Sequence, residues 1–489
     1  MMRAMLRILR ILLALTLAAA VLGGCASRPI NGRLDHYDPK TGYRLDTRPV
    51  RDEADETLVI LAFSGGGTRA AAFSFGVLEE LRRTGFVDGQ GRSRRLLDEV
   101  DVITGVSGGS FTALAYALHG DRLFDEYEQR FLKRNVQGEL LARFLSPRNW
   151  TALWSSGWGR SEMAAELYDE ILFGKATYGD LVGRPGPLAI VTATDISTGS
   201  RLGFSQSEFD LICSDLATVP LARAAAASSA VPFVLSPVTL DNYGGSCGYR
   251  EPSWVKAVAD PNNRARPAGR ALQRWKEMQS FQDSVERPYL HLVDGGISDN
   301  LGMRGVLETM ESLEANRLQR RTSRLDRFSR IAVIVVNSLS VPRTGWDKSE
   351  RPPNDVQILL KAAGVPIDRY SYEAIELLKD LMARWQQARA LRESAAFAGA
   401  GSIHLARAAD LPDVDVFAID VSFAALQDPA ERDYLNDLPT SFVLPDDAVD
   451  RLRAAAGVIL RSSEDFQRLL RASRRTVANG TAAVPPAVN

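Results

Sequence analysis

Three stretches carry residue types that can do chemistry. The first is Gly105-Val106-Ser107-Gly108-Gly109, a serine between glycines at the spacing of a nucleophile elbow. The glycines allow a sharp backbone turn and leave room for a carbonyl carbon to approach the serine Oγ. The second is Ser64-Gly65-Gly66-Gly67-Thr68-Arg69, a run of backbone N–H groups of the kind that cradles an anion. The third is Asp294-Gly295-Gly296. A serine hydroxyl is a weak nucleophile until a neighbour takes its proton, so Ser107 needs a base close by.

The flanking residues say how these stretches are held. Val100–Thr104 reads as a buried strand and Ser110–Leu118 as a helix apolar on nearly every side. Strand, turn and helix are the context in which a Gly-x-Ser-x-Gly serine is presented as a nucleophile, with the helix N-terminus aimed at the same point. Leu58–Phe63 is a second strand, and Thr68–Arg83 is a helix with Ala70, Phe73, Val77, Leu78 and Leu81 at helical spacing. The turn between them lacks the Gly-Lys-Ser/Thr ending of a phosphate loop. Ala70 stands where a dinucleotide fingerprint has its third glycine. An oxyanion hole needs only donors on a tight loop beside the nucleophile, and that reading fits best. Asp294 ends the apolar run Pro288–Val293. A strand-end carboxylate in an open α/β sheet faces the ligand crevice, whereas an Asp-Gly turn or helix cap is its purely structural alternative.

Further strands are expected at 188–195, 201–204, 238–240, 331–337 and 416–423, with an alanine-rich helix at 216–227 stopped by Pro232. Strands alternating with helices indicate an α/β fold with a mostly parallel sheet. Trp150, Trp154 and Trp158 would stack on one face if helical. Residues 243–287, broken by Pro252, Pro261 and Pro267, read as an insertion with a surface helix at 270–282. Residues 356–396 read as helical with a break at Gly364-Val365-Pro366, and 446–475 as a closing helix pair.

The chain start reads as a targeting segment. Arg3, Arg7 and Arg10 precede an apolar run from Ile11 to Leu22, the pattern of a secretory signal. Its end, Leu22-Gly23-Gly24-Cys25, resembles the lipobox of bacterial lipoprotein signal peptides. That resemblance implies lipidation of Cys25 after removal of residues 1–24, with an ordinary secretory signal as the alternative. Alanine rather than aspartate at position 26 then favours the outer membrane. The expected organisation is a tether over 25–56, a catalytic domain over 57–345, a C-terminal α/β extension of the same domain over 346–475, and a disordered tail over 476–489. Basic and acidic residues balance at 59 to 60, and no basic cluster alternates with aromatics, which disfavours a nucleic-acid partner. Three cysteines are present. In an oxidising envelope Cys213 and Cys247 would pair, a closure worth about 3–4 kcal/mol, or else stay separate thiols. No histidine lies at metal-ligand spacing from either, and the chain calls for no metal or other cofactor.

Taken in order, Gly65-Gly66-Gly67-Thr68-Arg69, Gly105-Val106-Ser107-Gly108-Gly109, Ala227-Ser228-Ser229-Ala230-Val231-Pro232 and Asp294-Gly295-Gly296 resemble the patatin-like phospholipase family over about residues 57–340. The family's glycine loop usually has another glycine where this chain has Ala70. The resemblance implies a three-layer sandwich with helices on both faces of the sheet. It also implies a Ser–Asp dyad without histidine, in which Ser107 is the nucleophile and Asp294 the base. Gly65, Gly66, Gly67 and Thr68 would supply oxyanion N–H groups, with Arg69 supporting that loop. A lipid ester would be the substrate, met at the membrane through Cys25. Three alternatives stand beside this one: a Ser-His-Asp esterase using His119, His291 or His404, a lipid-binding envelope lipoprotein without catalysis, and an acyltransferase to an acceptor other than water.

Overall fold

The computed structural model describes residues 27–48, 57–87, 91–153, 158–252, 254–255, 269–318, 324–341, 344–394 and 412–479. Cys25 with the signal segment, Trp154 and His404 lie outside these. Eight strands form one mixed sheet. In chain order they are β1 (Thr57–Phe63), β2 (Val100–Val106), β3 (Leu188–Asp195), β4 (Arg201–Gly203), β5 (Val238–Asp241), β6 (Tyr289–Asp294), β7 (Arg330–Asn337) and β8 (Asp415–Ser422). Across the sheet the order is β8-β7-β1-β2-β3-β6-β5, with β4 pairing β3. The run from β8 to β3 is parallel, while β4, β5 and β6 run antiparallel to their partners.

Parallel strands buried on both faces read as continuous apolar runs, and Leu58–Phe63, Ile331–Val336 and Val416–Ala418 are almost wholly buried. Helices α1 (Gly67–Arg83), α2 (Gly108–His119) and α3 (Leu221–Ser228) pack on the sheet. Helix α3 begins after Pro220, later than the expected start at 216, because residues 216–218 form a separate short turn capped by Asp215. Helix α4 (Asp355–Glu393) runs through Pro366 without the expected break. Proline removes one helical hydrogen bond, and buried Ile375, Leu378, Leu381 and Trp385 anchor the same helix downstream. Helix α5 (Asp446–Ser462) lies against α1, so close that a Cβ on Gly76 would sit 2.5 Å from the Arg453 carbonyl oxygen.

Several expectations are corrected. Residues 27–48 are not a free tether. Gly32–Arg33 pairs with Ser214–Asp215, Tyr43 is buried, and Arg44 is ion-paired to Asp210 at 2.8 Å within the domain. The helix Gly269–Gln282 is more than surface decoration, since Met278 and Phe281 are buried and Arg274 is ion-paired with Glu208. Of the three tryptophans, Trp150 is exposed on the helix Pro147–Leu153 and Trp158 lies outside any helix, so these two do not share a helical face, while Trp154 lies outside the described residues. The expected Cys213–Cys247 pairing, by contrast, is present as a disulfide, with the Cα atoms 5.5 Å apart.

Candidate active site

Sheet register brings the three stretches together. Phe63 of β1 pairs with Gly105 of β2, so the loops that follow the two strands are neighbours. Val106 pairs with Thr192 of β3, and Ala193 of β3 pairs with Asp294 of β6. Asp294 therefore stands level with the end of β2, with β3 between them. It is the last residue of its strand, as expected, and that strand runs antiparallel to β3.

Ser107 sits at the turn between β2 and α2 with φ 46° and ψ −116°. That backbone state is disfavoured for a residue with a Cβ and marks a strained, function-bearing turn. Three contacts hold its backbone, one of them from the Ser110 hydroxyl to the Ser107 carbonyl at 2.5 Å. The Ser107 N–H donates to Ser228 Oγ at 2.9 Å, and the Ser107 carbonyl accepts from the Ser110 N–H at 3.0 Å. Its Oγ donates to Asp294 Oδ2 at 2.9 Å. The other carboxylate oxygen, Oδ1, accepts from the Gly296 N–H at 2.8 Å. The backbone of 294–295 is pinned to the end of α3, with Asp294 N–H on the Ala230 carbonyl and Gly295 N–H on the Ser228 carbonyl, each at 3.0 Å. Ser107 and Asp294 are 6% and 8% exposed. Burial raises the Asp294 carboxyl to about 6, while the bonds from Gly296 and Ser107 pull it the other way.

The glycine loop lies alongside. Gly66 and Gly67 have φ of 141° and 61°, which a side chain would strain. Contact is close on every side: a Cβ on Gly65 would sit 2.5 Å from Asn300 Oδ1, and one on Gly108 would sit 2.0 Å from the Gly67 carbonyl oxygen. The four residues expected to supply oxyanion N–H groups prove to have unequal roles. Gly65 N–H is taken by the Asn300 carbonyl at 2.9 Å and Thr68 N–H by the Ser441 carbonyl at 2.8 Å. A satisfied donor is not offered to a ligand, so the N–H groups of Gly66 and Gly67 are the ones this loop has left. Gly108, next after the serine, packs directly against the Gly67 backbone. The N-termini of α1 and α2 thus converge on one point, where their dipoles favour negative charge.

Arg69 points away from that point. Its Nε donates to the Ser338 carbonyl at 2.8 Å, its Nη1 to the Leu438 carbonyl at 2.8 Å and its Nη2 to Thr440 Oγ1 at 3.1 Å. Burial lowers the guanidinium to about 10, which leaves it charged at neutral pH.

The histidines are elsewhere. His119 Nε2 bonds the Leu172 carbonyl at 2.8 Å, and His291 Nδ1 bonds Thr239 Oγ1 at 3.0 Å. No described histidine is a hydrogen-bond partner of Ser107 or Asp294. The sequence carries Ser228 only as part of a longer motif without a role of its own, and it gives no role to Asn300, Thr440 or Ser441. Ser228 was legible from its place in the motif that carried the family resemblance. Nothing in the local sequence marks Thr440 or Ser441.

The family model for patatin-like phospholipases matches residues 61–307, which is half of the chain. No curated protein sequence matches. Among solved structures, human GIVD cytosolic phospholipase A2 is similar at a TM-score of 0.42 and 13% identity, over 88% of this chain and 64% of that one. The same human enzyme in complex with methyl gamma-linolenyl fluorophosphonate gives 0.40 and 14%, over 87% and 60%. The chain thus spans less than two thirds of the length of these relatives, and likenesses so distant carry no conclusion of their own.

Proposed function

Because the chain belongs to the patatin-like phospholipase family, we propose that it is a serine lipid acyl hydrolase working through a Ser107–Asp294 dyad. The observation that carries this reading is the 2.9 Å bond from Ser107 Oγ to Asp294 Oδ2, on a serine held at an elbow with no histidine between them.

The chemistry follows from the geometry. As Ser107 Oγ attacks the ester carbonyl, its proton passes to Asp294 Oδ2. The bond from Gly296 to Oδ1 keeps the other oxygen turned away. A carboxylate is a weaker base than imidazole, and burial narrows that gap by raising its affinity for the proton. The carbonyl oxygen, becoming negative, lies among the N–H groups of Gly66, Gly67 and Gly108. Each such donor is worth roughly 2.7–4 kcal/mol of barrier. Collapse of the tetrahedral species breaks the C–O bond, and Asp294 returns the proton to the leaving alcohol. Water then attacks the acyl-serine, gives a proton to Asp294, and releases the fatty acid as Ser107 recovers its own.

Lipidation of Cys25 would hold this site at a bacterial envelope membrane, most simply the outer membrane, next to acyl esters. The test is labelling with a fluorophosphonate. Wild type takes the label, and Ser107→Ala and Asp294→Asn do not. Labelling that persists in Ser107→Ala, or its absence from folded wild type, overturns the reading. Palmitate incorporation lost in Cys25→Ala tests the anchor.

A further inference from the structure

The C-terminal part of the chain does more than complete the sheet. Five residues, Leu438 to Phe442, lie between a helix at Pro429–Asp437 and α5, beyond the segment the family model matches. This strap touches the glycine loop at successive positions. The Leu438 carbonyl and Thr440 Oγ1 take two of the three bonds from Arg69. The Ser441 carbonyl takes the Thr68 N–H at 2.8 Å, and Ser441 bridges to Gly67 in parallel register. A Cβ on Gly67 would be 2.3 Å from the same Ser441 carbonyl oxygen.

The strap is itself clamped. Phe442 stacks edge-on against Phe111 of α2, ring centroids 5.6 Å apart, and exchanges hydrogen bonds with Gln137: Gln137 N–H to the Phe442 carbonyl, and Phe442 N–H to Gln137 Oε1. One short segment therefore bears on the glycine loop and on the helix that follows Ser107.

We propose that the strap Leu438–Phe442, with Arg69 as its anchor, is a positioning element that aims the Gly66 and Gly67 N–H groups at the reacting carbonyl. It touches no substrate. By occupying the neighbouring donor of Thr68 and the guanidinium of Arg69, it fixes the loop backbone in the left-handed conformations the aim requires. A loop held by a single N-terminal helix turn would have two glycines free to rotate, and a displacement of about 1 Å at such a site costs on the order of 100-fold in rate. The inference rests on the hydrolase reading given above.

Three variants test it. Arg69→Lys keeps a positive charge but cannot serve three divergent acceptors. Phe442→Ala frees the strap from α2, and Thr440→Val removes a single acceptor while keeping the side-chain shape. Turnover is measured on a soluble short-chain ester and divided by the number of sites titrated with fluorophosphonate, so misfolded protein is not counted. Arg69→Lys and Phe442→Ala are expected to lower kcat per titrated site about 10- to 100-fold, with KM changed less than about threefold. Thr440→Val is expected to lower it about threefold or more. The pH midpoint of the acid limb should not move. A kcat per site within about twofold of wild type in Arg69→Lys and Phe442→Ala overturns the inference, even if both variants melt early. A wild type that neither labels nor hydrolyses overturns the hydrolase reading and this inference with it, whereas active wild type with unaffected variants overturns the strap alone.

Discussion

Ser107 Oγ and Asp294 Oδ2 are hydrogen-bonded at 2.9 Å although 187 residues separate them in the chain. Two strands running in opposite directions, β2 and β6, deliver them to the same level of the sheet through the register of β3. The serine arrives at a strained turn and the carboxylate arrives buried. Both conditions cost free energy, and both are conditions that the proposed proton transfer would use.

The raised proton affinity of Asp294 predicts the pH dependence. The carboxyl accepts the Ser107 proton only when ionised, so kcat/KM should rise with pH through a midpoint at about 6 and level off above it. A midpoint near 4 in a pH-rate profile on a soluble ester would mean that the buried carboxylate is not the base. Asp294→Asn should lose about 100-fold or more, while His291→Ala, whose ring faces Thr239, should keep most of its activity.

The same group should cost stability. Its affinity is raised from an ordinary 3.8 to about 6. Well below pH 3.8 the carboxyl is protonated folded or unfolded, so no charge is buried. As pH rises through 6 the folded protein must carry a buried charge that the unfolded chain exposes to water, and the advantage held at low pH is lost. The difference is of order 3 kcal/mol. Asp294→Asn, which still offers an oxygen to Gly296, should therefore melt higher than wild type at pH 8, and most of the gain should be gone by pH 4. Denaturant titration at the two pH values measures this, and a variant less stable at pH 8 would contradict it.

Gly108 faces the Gly67 carbonyl with no room for a methyl group. Gly108→Ala should push the two loops apart, lowering the rate of fluorophosphonate labelling by about 100-fold and destabilising the fold by about 1–3 kcal/mol. Labelling at the wild-type rate would show that the loops are not jointly positioned.

Phe233 is 70% exposed at φ 70°, at a turn just after the Ala230 carbonyl that holds Asp294. A phenylalanine gains little from burial there and pays for a left-handed backbone. Phe233→Gly should stabilise the protein by about 1 kcal/mol in thermal or denaturant unfolding. Destabilisation would show that the ring makes contacts in solution that outweigh the strain.

The sequence by itself determined the local parts. Apolar runs too continuous for half-exposed strands marked a buried, mostly parallel sheet. Glycines at fixed offsets marked the elbow and the donor loop, because only certain residues tolerate those turns. The Ser–Asp pairing was legible through the order of four motifs, since no local pattern links positions so far apart. Tertiary structure alone decided the rest. Which N–H groups of the glycine loop stay unengaged depends on the carbonyls of Asn300 and Ser441, brought there by distant chain. It turned residues 27–48 from an expected tether into a packed segment, because pairing with Ser214–Asp215 and the Arg44–Asp210 ion pair are contacts that composition does not encode. It also gave Arg69 its acceptors on the C-terminal strap, a link fixed by packing and not by any spacing in the sequence.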